Sequence, residues 1–157
     1  RGPLRKNGAV MRVTFVSPAV TAANERGMWM KIEEFRSIVL FDGLTDDELA
    51  QCIEPLKEHE LVAGSSLAKQ DDFAYKFFIV LDGDVDIHRD FEFVARLGPG
   101  EFFGETALVN HEKRNARVTT HTRCRLACMM GWEFKTMTEK FPSVAVHIDA
   151  AVTEREV

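Results

Sequence analysis

Cysteine is scarce in this sequence, with three residues among 157. So small and odd a number cannot form a disulfide framework, which favours a reducing compartment, and we expect a cytoplasmic protein. No apolar stretch approaches the length of a membrane span, so we expect no membrane segment. Basic residues are also outnumbered, 20 Lys and Arg against 25 Asp and Glu. The resulting net charge of −5 gives no support for a nucleic-acid-binding surface.

Residues 1–31 lack the features of a folded element or a targeting signal. Their apolar stretch, Val13–Val20, is short and is interrupted by Thr14, Ser17 and Pro18. It does not resemble the uninterrupted core of a signal peptide. We therefore expect residues 1–31 to be a leader or linker, disordered or extended. Residues 32–157 then form a single domain, and the 45% apolar composition is enough to give it a core.

The first part of that domain has a helical pattern, from about Ile32 to Leu56. Thr45 and Glu48 form a predicted capping box, in which the hydroxyl caps the helix and the carboxylate reaches back to the cap. Apolar residues then recur at helical spacing, and Pro55 predicts the end of the helix.

From residue 59 to residue 130 the pattern changes to short strands separated by turns. Predicted strands are Leu61–Ala63, Lys76–Leu81, Asp84–His88 and Phe93–Leu97, with two more between Val118 and Met130. Regularly spaced short strands with Gly and Pro turns favour a jelly-roll barrel. In the last of them Cys124, Leu126 and Cys128 share one face.

Helical spacing returns after Gly131. Two apolar stripes follow, Phe134, Met137 and Phe141, then Val144, Ile148, Ala151 and Val152. We interpret Trp132, at the start of this region, as a packing residue. The predicted class is therefore α+β, mainly β: a jelly-roll β barrel with an N-terminal helical segment and two C-terminal helices.

The stretch from Phe102 to Ala116 carries the chemistry, and it lies between two predicted strands. Gly104 permits a tight backbone entry into a short helical segment. Nine residues after Glu105, Arg114 can fold back to offer a bidentate guanidinium. Ala116 is small and lets the backbone approach a ligand. A carboxylate, a guanidinium and backbone amides together suit a ligand that has both hydroxyl and phosphate groups.

These residues resemble a known family. Gly104-Glu105-x-Ala107-Leu108 followed by Arg114-x-Ala116 is similar to the phosphate-binding cassette of cyclic-nucleotide-binding domains. Those domains occur in regulatory subunits of cyclic-AMP-dependent protein kinase, in gated channels and in catabolite-activator-type regulators. The similarity extends over roughly residues 35–152, and includes the stretches Phe77–Val85 and Leu97–Glu105.

The resemblance implies specific roles. Glu105 would accept a hydrogen bond from the ribose 2′-hydroxyl, and Arg114 would pair with the cyclic phosphate. Backbone groups near Gly104, Ala107 and Ala116 would complete the cradle. The base pocket would be lined by Ile87 and Val94. Leu108 would carry movement of the cassette to the C-terminal helices, so that the domain acts as a regulatory sensor.

Two positions of the cassette depart from the family pattern. Thr106 stands where the family usually has an aliphatic residue, and Asn115 where it usually has a small or hydroxyl residue. We include both among the ligand-binding residues. The apolar wall inferred from Ile87 and Val94 favours cyclic AMP as the ligand, while Asn115 leaves cyclic GMP open.

Two other classes of function require features that this sequence lacks. A jelly-roll metalloenzyme needs a His-x-His pair, and none occurs. We therefore expect no enzymatic activity. His121 lies on the strand face opposite Cys124 and Cys128, so we also expect no metal site there. A DNA-binding regulator needs a helix-turn-helix after the second C-terminal helix, and none follows within these 157 residues. We therefore expect an effector domain or partner protein outside this sequence. A degenerate fold acting as a protein-interaction module, and a homodimer, both stay open.

Overall fold

The computed structural model describes residues 32–71 and 75–155. The prediction of a leader or linker over residues 1–31 lies outside this described part. The N-terminal helical region consists of α1, described over residues 32–36, a 3-10 helix at Val39–Phe41 and α2 at Asp46–Ile53. The capping box of α2 is present: the Glu48 amide donates to Thr45 Oγ1 at 3.2 Å, and the Thr45 amide donates to Glu48 Oε1 at 2.9 Å. Among the described residues, the helical region is thus divided into three pieces.

Eight strands are present among the described residues, with bounds β1 Lys57–Leu61, β2 Ser66–Ala68, β3 Lys76–Asp82, β4 Val85–Arg89, β5 Glu92–Leu97, β6 Phe102–Phe103, β7 Arg117–Thr120 and β8 Cys124–Met130. They form two antiparallel four-stranded sheets with the orders β1-β8-β3-β6 and β2-β7-β4-β5. Three helices complete the fold: α3 Glu105–Asn110, α4 Gly131–Lys140 and α5 Pro142–Arg155. The predicted jelly roll with two C-terminal helices is confirmed.

The barrel encloses one of two apolar cores. Its members come from strands of both sheets: Phe78, Val80, Val85, Leu97, Phe103, Val118, Cys124, Leu126 and Cys128. The expected alternation of β8 is therefore present, since its two cysteines and Leu126 all belong to this interior. Burial raises the pKa of both thiols, Cys124 and Cys128, which keeps them protonated and apolar at neutral pH.

The second core lies between the helices and the outer face of the β3–β8 sheet. From that sheet it takes Phe77, Ile79, Ala127 and Met129, and from α4, α5 and the intervening residue it takes Phe134, Met137, Phe141, Val144, Ile148 and Val152. Because β3 separates the two cores, both of its faces are buried from Phe77 to Val80. This explains why the β3 sequence is a continuous apolar run rather than an alternating one.

Three sequence expectations need correction. The first strand lies at Lys57–Leu61 rather than Leu61–Ala63, and Ser66–Ala68 and Phe102–Phe103 were not foreseen as strands. β1 is an edge strand, and four of its five residues are exposed, so it lacks an apolar pattern. Trp132 is 70% exposed and does not pack in the core. None of the described helices is both long and apolar enough to cross a membrane.

Candidate functional site

A cavity of about 270 Å³ opens into the barrel beside α3. All nine residues predicted to bind ligand line it: Ile87, Val94, Gly104, Glu105, Thr106, Ala107, Arg114, Asn115 and Ala116. They come from β4, from β5 and from the connection between β6 and β7. Residues that are up to 29 positions apart in the sequence thus surround one space.

Gly104 starts α3 in a left-handed conformation, with φ of 94°. A side chain there would be strained, and it would also collide with its neighbours. A Cβ atom on Gly104 would lie 2.7 Å from Arg114 Nη1 and 2.9 Å from the Lys76 carbonyl oxygen. The glycine therefore allows the guanidinium to lie directly against the backbone at the start of α3.

Arg114 is only 8% exposed although it carries a charge. Its Nη1 donates to the Gly104 carbonyl at 3.0 Å, and its Nη2 donates to the Lys76 carbonyl. Its own carbonyl accepts from the Asp71 amide at 2.8 Å. Burial lowers the pKa of Arg114, and the negative charge of Glu105 opposes this shift. A guanidinium has five N–H donors, so the two bonds to carbonyls leave others for an anion.

Glu105 is the buried carboxylate of the cavity, with no exposed surface. It accepts a hydrogen bond from Thr106 Oγ1 at 3.1 Å, and the threonine is itself 8% exposed. The hydroxyl at position 106, which departs from the family pattern, thus has a specific partner. This hydroxyl helps to orient the carboxylate.

The remaining wall of the cavity is mainly apolar. Ile87 is half-buried, while Val94 is 47% exposed at the opening. Lining residues that the sequence analysis missed include Ala95, Leu97, Phe103 and Val118. Strand alternation could have indicated Leu97 and Val118, since both are buried positions of predicted strands. A mainly apolar wall beside a buried Arg and Glu suits a ligand with one apolar and one charged end.

Two charged lining residues were also missed, Arg89 at the end of β4 and Glu154 near the end of α5. Arg89 follows Ile87 by two positions, so alternation along β4 was the available signal. No local pattern could have indicated Glu154, because it reaches the cavity only through the packing of α5. Helix α5 packs against α3, α4 and the 3-10 helix.

Leu108 lies outside this cavity. It is half-buried against the helical core, and it lines a second cavity of about 470 Å³ with residues of α4 and α5, including Phe134 and Ile148. A Cβ on Gly131, the first residue of α4, would lie 3.0 Å from Leu108 Cδ2. Leu108 therefore connects the helix that borders the first cavity to the C-terminal helices.

His121 and Cys124, which a metal site in this region would need, have different polar partners. His121 Nδ1 lies 3.3 Å from Asp86 Oδ2, whereas Cys124 Sγ donates to the Asp84 carbonyl at 3.1 Å. Within residues 32–71 and 75–155, no group of three or more His, Cys, Asp or Glu side chains is placed to hold a metal ion.

Comparison with known proteins agrees with this geometry. The model of the cyclic nucleotide-binding domain family matches residues 58–141. The regulatory domain of Toxoplasma gondii PKA, crystallised with cAMP, superimposes with a TM-score of 0.76 at 26% identity, over 85% of this chain and 52% of that chain. A cAMP-dependent protein kinase regulatory subunit from Mycosarcoma maydis is 30% identical over 77% of this chain and 25% of its own length. A cyclic nucleotide-gated potassium channel from Rhizobium etli is 25% identical over 76% of this chain and 33% of its own.

The matched region contains all of the barrel strands except the first residue of β1, and it includes the segment from Gly104 to Ala116. The chain therefore belongs to the cyclic nucleotide-binding domain family. It spans between a quarter and a third of the length of the curated relatives it matches.

Proposed function

We propose that this domain is a sensor that binds a 3′,5′-cyclic nucleotide, with cyclic AMP preferred over cyclic GMP. The observation that carries the proposal is the placement of Arg114 and Glu105, each at least 92% buried, in one cavity with an apolar wall. A buried cation and a buried carboxylate are costly to desolvate, so a ligand that uses both explains why they lie there.

In this proposal each part of the nucleotide has its own partner. The cyclic phosphate binds the N–H groups of Arg114 that the Gly104 and Lys76 carbonyls do not occupy. The ribose 2′-hydroxyl donates to Glu105, which Thr106 orients from the other side. The base lies along Ile87 and Val94. Because the side chains of Ile87 and Val94 are apolar and offer guanine no hydrogen bond, we propose cyclic AMP as the preferred ligand; Asn115, which also lines the cavity, makes cyclic GMP the alternative.

We also propose that the domain couples binding to the position of α5. Two contacts support this: Glu154 of α5 lines the nucleotide cavity, and Leu108 of α3 lines the neighbouring cavity together with Ile148 of α5. A ligand that draws α3 inward therefore changes the surface against which α5 packs. Such a ligand shifts the population of α5 positions only if it binds one of them better.

The relatives named above are a kinase regulatory subunit and a channel, so we propose that a separate effector domain or partner protein reads the position of α5. We propose a binding rather than a catalytic role on the same basis. A cytoplasmic location follows from the proposal as well, and the three cysteines are free and buried, as a reducing compartment allows.

The direct test is calorimetric titration with cyclic AMP, cyclic GMP and linear AMP. We expect cyclic AMP to bind most tightly and linear AMP weakly, because the linear phosphate carries a second charge and lacks the ring that spans Arg114 and Glu105. Equal affinity for linear and cyclic AMP would contradict a cyclic-phosphate site. Absence of binding by all three would favour the alternative of a degenerate fold acting as an interaction module.

Single substitutions test which residue binds the phosphate and which binds the ribose 2′-hydroxyl. Arg114→Ala and Arg114→Lys should both bind poorly, since an ammonium does not reproduce the fork of a guanidinium. Arg117→Ala is the matched control, because Arg117 is exposed three positions away and does not line the cavity. Glu105→Gln should reduce the preference for cyclic AMP over its 2′-deoxy analogue. Wild-type affinity in a folded Arg114→Ala protein would refute the assignment.

Hydrogen exchange tests the coupling. Amide protection over residues 144–152 of α5 should differ between the free and the cyclic-AMP-bound protein. If these amides exchange identically while cyclic AMP is bound, the domain binds nucleotide without this switch.

A further inference from the structure

The charges that line the nucleotide cavity balance only when Arg89 is included. Four charged side chains line it: the carboxylates Glu105 and Glu154, and the guanidiniums Arg89 and Arg114. Without Arg89 the lining would have one positive and two negative charges. A cyclic nucleotide carries one negative charge on its phosphate, so such a lining would have a net charge of the same sign as the ligand. Glu154 contributes least to it, because that residue is exposed and screened by solvent. Arg89 brings the lining to neutrality before the ligand enters.

Arg89 also contacts the segment that carries Arg114. Its Nε donates to the main-chain carbonyl of Asn115 at 3.1 Å. Asn115 follows Arg114 directly and precedes the strand β7, which pairs with β4 through His88 and Arg117. The Arg114 carbonyl is held by the Asp71 amide. Two successive carbonyls of this segment are therefore fixed, and Arg89 fixes the second of them.

The remaining donors of Arg89 have no carboxylate partner in the described part of the chain. Arg96, on the neighbouring strand, shows the contrast, because its guanidinium forms a two-point contact with Asp86. Arg89 makes no such ion pair with a described residue, although its side chain is half-buried along the cavity wall. Its position immediately before a tight turn, in which Asp90 and Phe91 both have positive φ, anchors the base of the side chain.

We propose that Arg89 is a second cationic residue of this site: it positions the Arg114–Ala116 segment through Asn115, and its charge attracts the nucleotide phosphate. The proposal rests on the proposed function. It assigns to Arg89 a role shared by cyclic AMP and cyclic GMP, because the phosphate and not the base is recognised.

The experiment compares Arg89→Gln and Arg89→Lys with the wild-type protein. Arg117→Gln is the matched control, since it removes the same charge from an exposed site nearby that does not line the cavity. Affinities for cyclic AMP and cyclic GMP are measured by calorimetry at low and high salt. Ligand-free melting temperatures show that each variant is folded. Hydrogen exchange of residues 114–117 is measured in the absence of nucleotide.

We expect Arg89→Gln to lower the affinity for both nucleotides by about tenfold at low salt, which is the usual effect of losing a charge-assisted contact. The deficit should shrink at high salt, because screening weakens the attraction in the wild-type protein. Arg89→Lys should recover part of the affinity by retaining the charge. Exchange of residues 114–117 should be faster in Arg89→Gln, whereas Arg117→Gln should leave affinity within about twofold of the wild type.

An Arg89→Gln protein that is folded and binds like the wild type would overturn the proposal. So would an equal loss in Arg117→Gln, which would show only a general effect of net charge. If the wild-type protein binds neither nucleotide, the proposed function fails and the charge role of Arg89 fails with it. The positioning role is decided separately by the ligand-free exchange, and unchanged exchange in Arg89→Gln would overturn it.

Discussion

Two glycines with nearly the same positive φ allow the packing of Arg114 against Gly104 to be tested. Gly100 has φ of 90° and Gly104 has φ of 94°. A Cβ on Gly100 would meet nothing within 4 Å, whereas a Cβ on Gly104 would lie 2.7 Å from Arg114 Nη1 and 2.9 Å from the Lys76 carbonyl oxygen. Alanine at the two positions therefore introduces the same backbone strain, but only Gly104→Ala introduces a collision.

The magnitudes follow from these distances. Placing alanine in the left-handed region costs about 1–2 kcal/mol of unfolding free energy, and we expect this from Gly100→Ala. Gly104→Ala adds the displacement of Arg114 and the loss of its hydrogen bond to the Gly104 carbonyl, another ~1.5–3 kcal/mol for a bond with a charged donor. The Lys76 oxygen cannot move aside cheaply, because it belongs to the backbone of β3. We therefore expect a total of about 2.5–5 kcal/mol for Gly104→Ala.

Urea unfolding of the wild-type protein and both variants measures the difference directly. A difference of ~2 kcal/mol between the variants is worth roughly 8 °C in melting temperature for a domain of this size. Gly104→Ala should also bind cyclic AMP at least about tenfold more weakly, since the guanidinium moves from its place, while Gly100→Ala should bind normally. If the two variants lose equal amounts of unfolding free energy and of affinity, Arg114 does not lie against Gly104. The proposed position of the phosphate would then be wrong.

Three further outcomes are expected. Leu108→Ala should lower the unfolding free energy by about 2 kcal/mol. It should also reduce the nucleotide-dependent difference in hydrogen exchange of α5, with little change in nucleotide affinity. An unaltered exchange difference would argue against coupling through this residue. The hydrogen bond from Arg96 lowers the pKa of Asp86 below its ordinary 3.8, although desolvation opposes this shift, so the carboxylate stabilises the fold above that pH. Asp86→Asn should therefore be less stable than wild type at neutral pH, and the difference should shrink as the pH falls through the lowered pKa of Asp86 and the carboxylate becomes protonated. Arg125 of β8 bonds to Glu34 of α1 and Glu58 of β1, so Arg125→Ala should lower stability by ~1 kcal/mol in urea unfolding without changing nucleotide affinity.

Most of the candidate site could be predicted because its residues lie close together in the sequence. Gly104, Glu105, Arg114 and Ala116 fall within 13 residues, and the chemistry of a carboxylate, a guanidinium and a small residue can be recognised without coordinates. The capping box at Thr45 and Glu48 was predictable for the same reason, since both bonds are local. The strands of the barrel interior were also predictable wherever one face is buried and the other is not.

Long-range pairing decided what the sequence did not indicate. β1 has mostly exposed side chains and no alternation, and it is a strand because its backbone pairs with β8. Trp132 is apolar by composition but lies on the outer surface of α4, and its exposure depends on how α4 is rotated against β3.

The sequence by itself determined the type of fold, the cassette and its main charged pair, because these depend on periodicity and on neighbouring residues. Only the tertiary structure brought Arg89 and Glu154 to the same cavity, from positions 65 residues apart on β4 and α5. It also placed Leu108 outside the cavity, against the C-terminal helices. These placements follow from the packing of α5 on α3 and from the pairing of β4 with β7. The physical reason is that the free energy of packing depends on which surfaces come into contact. A local sequence pattern does not indicate which surfaces those are.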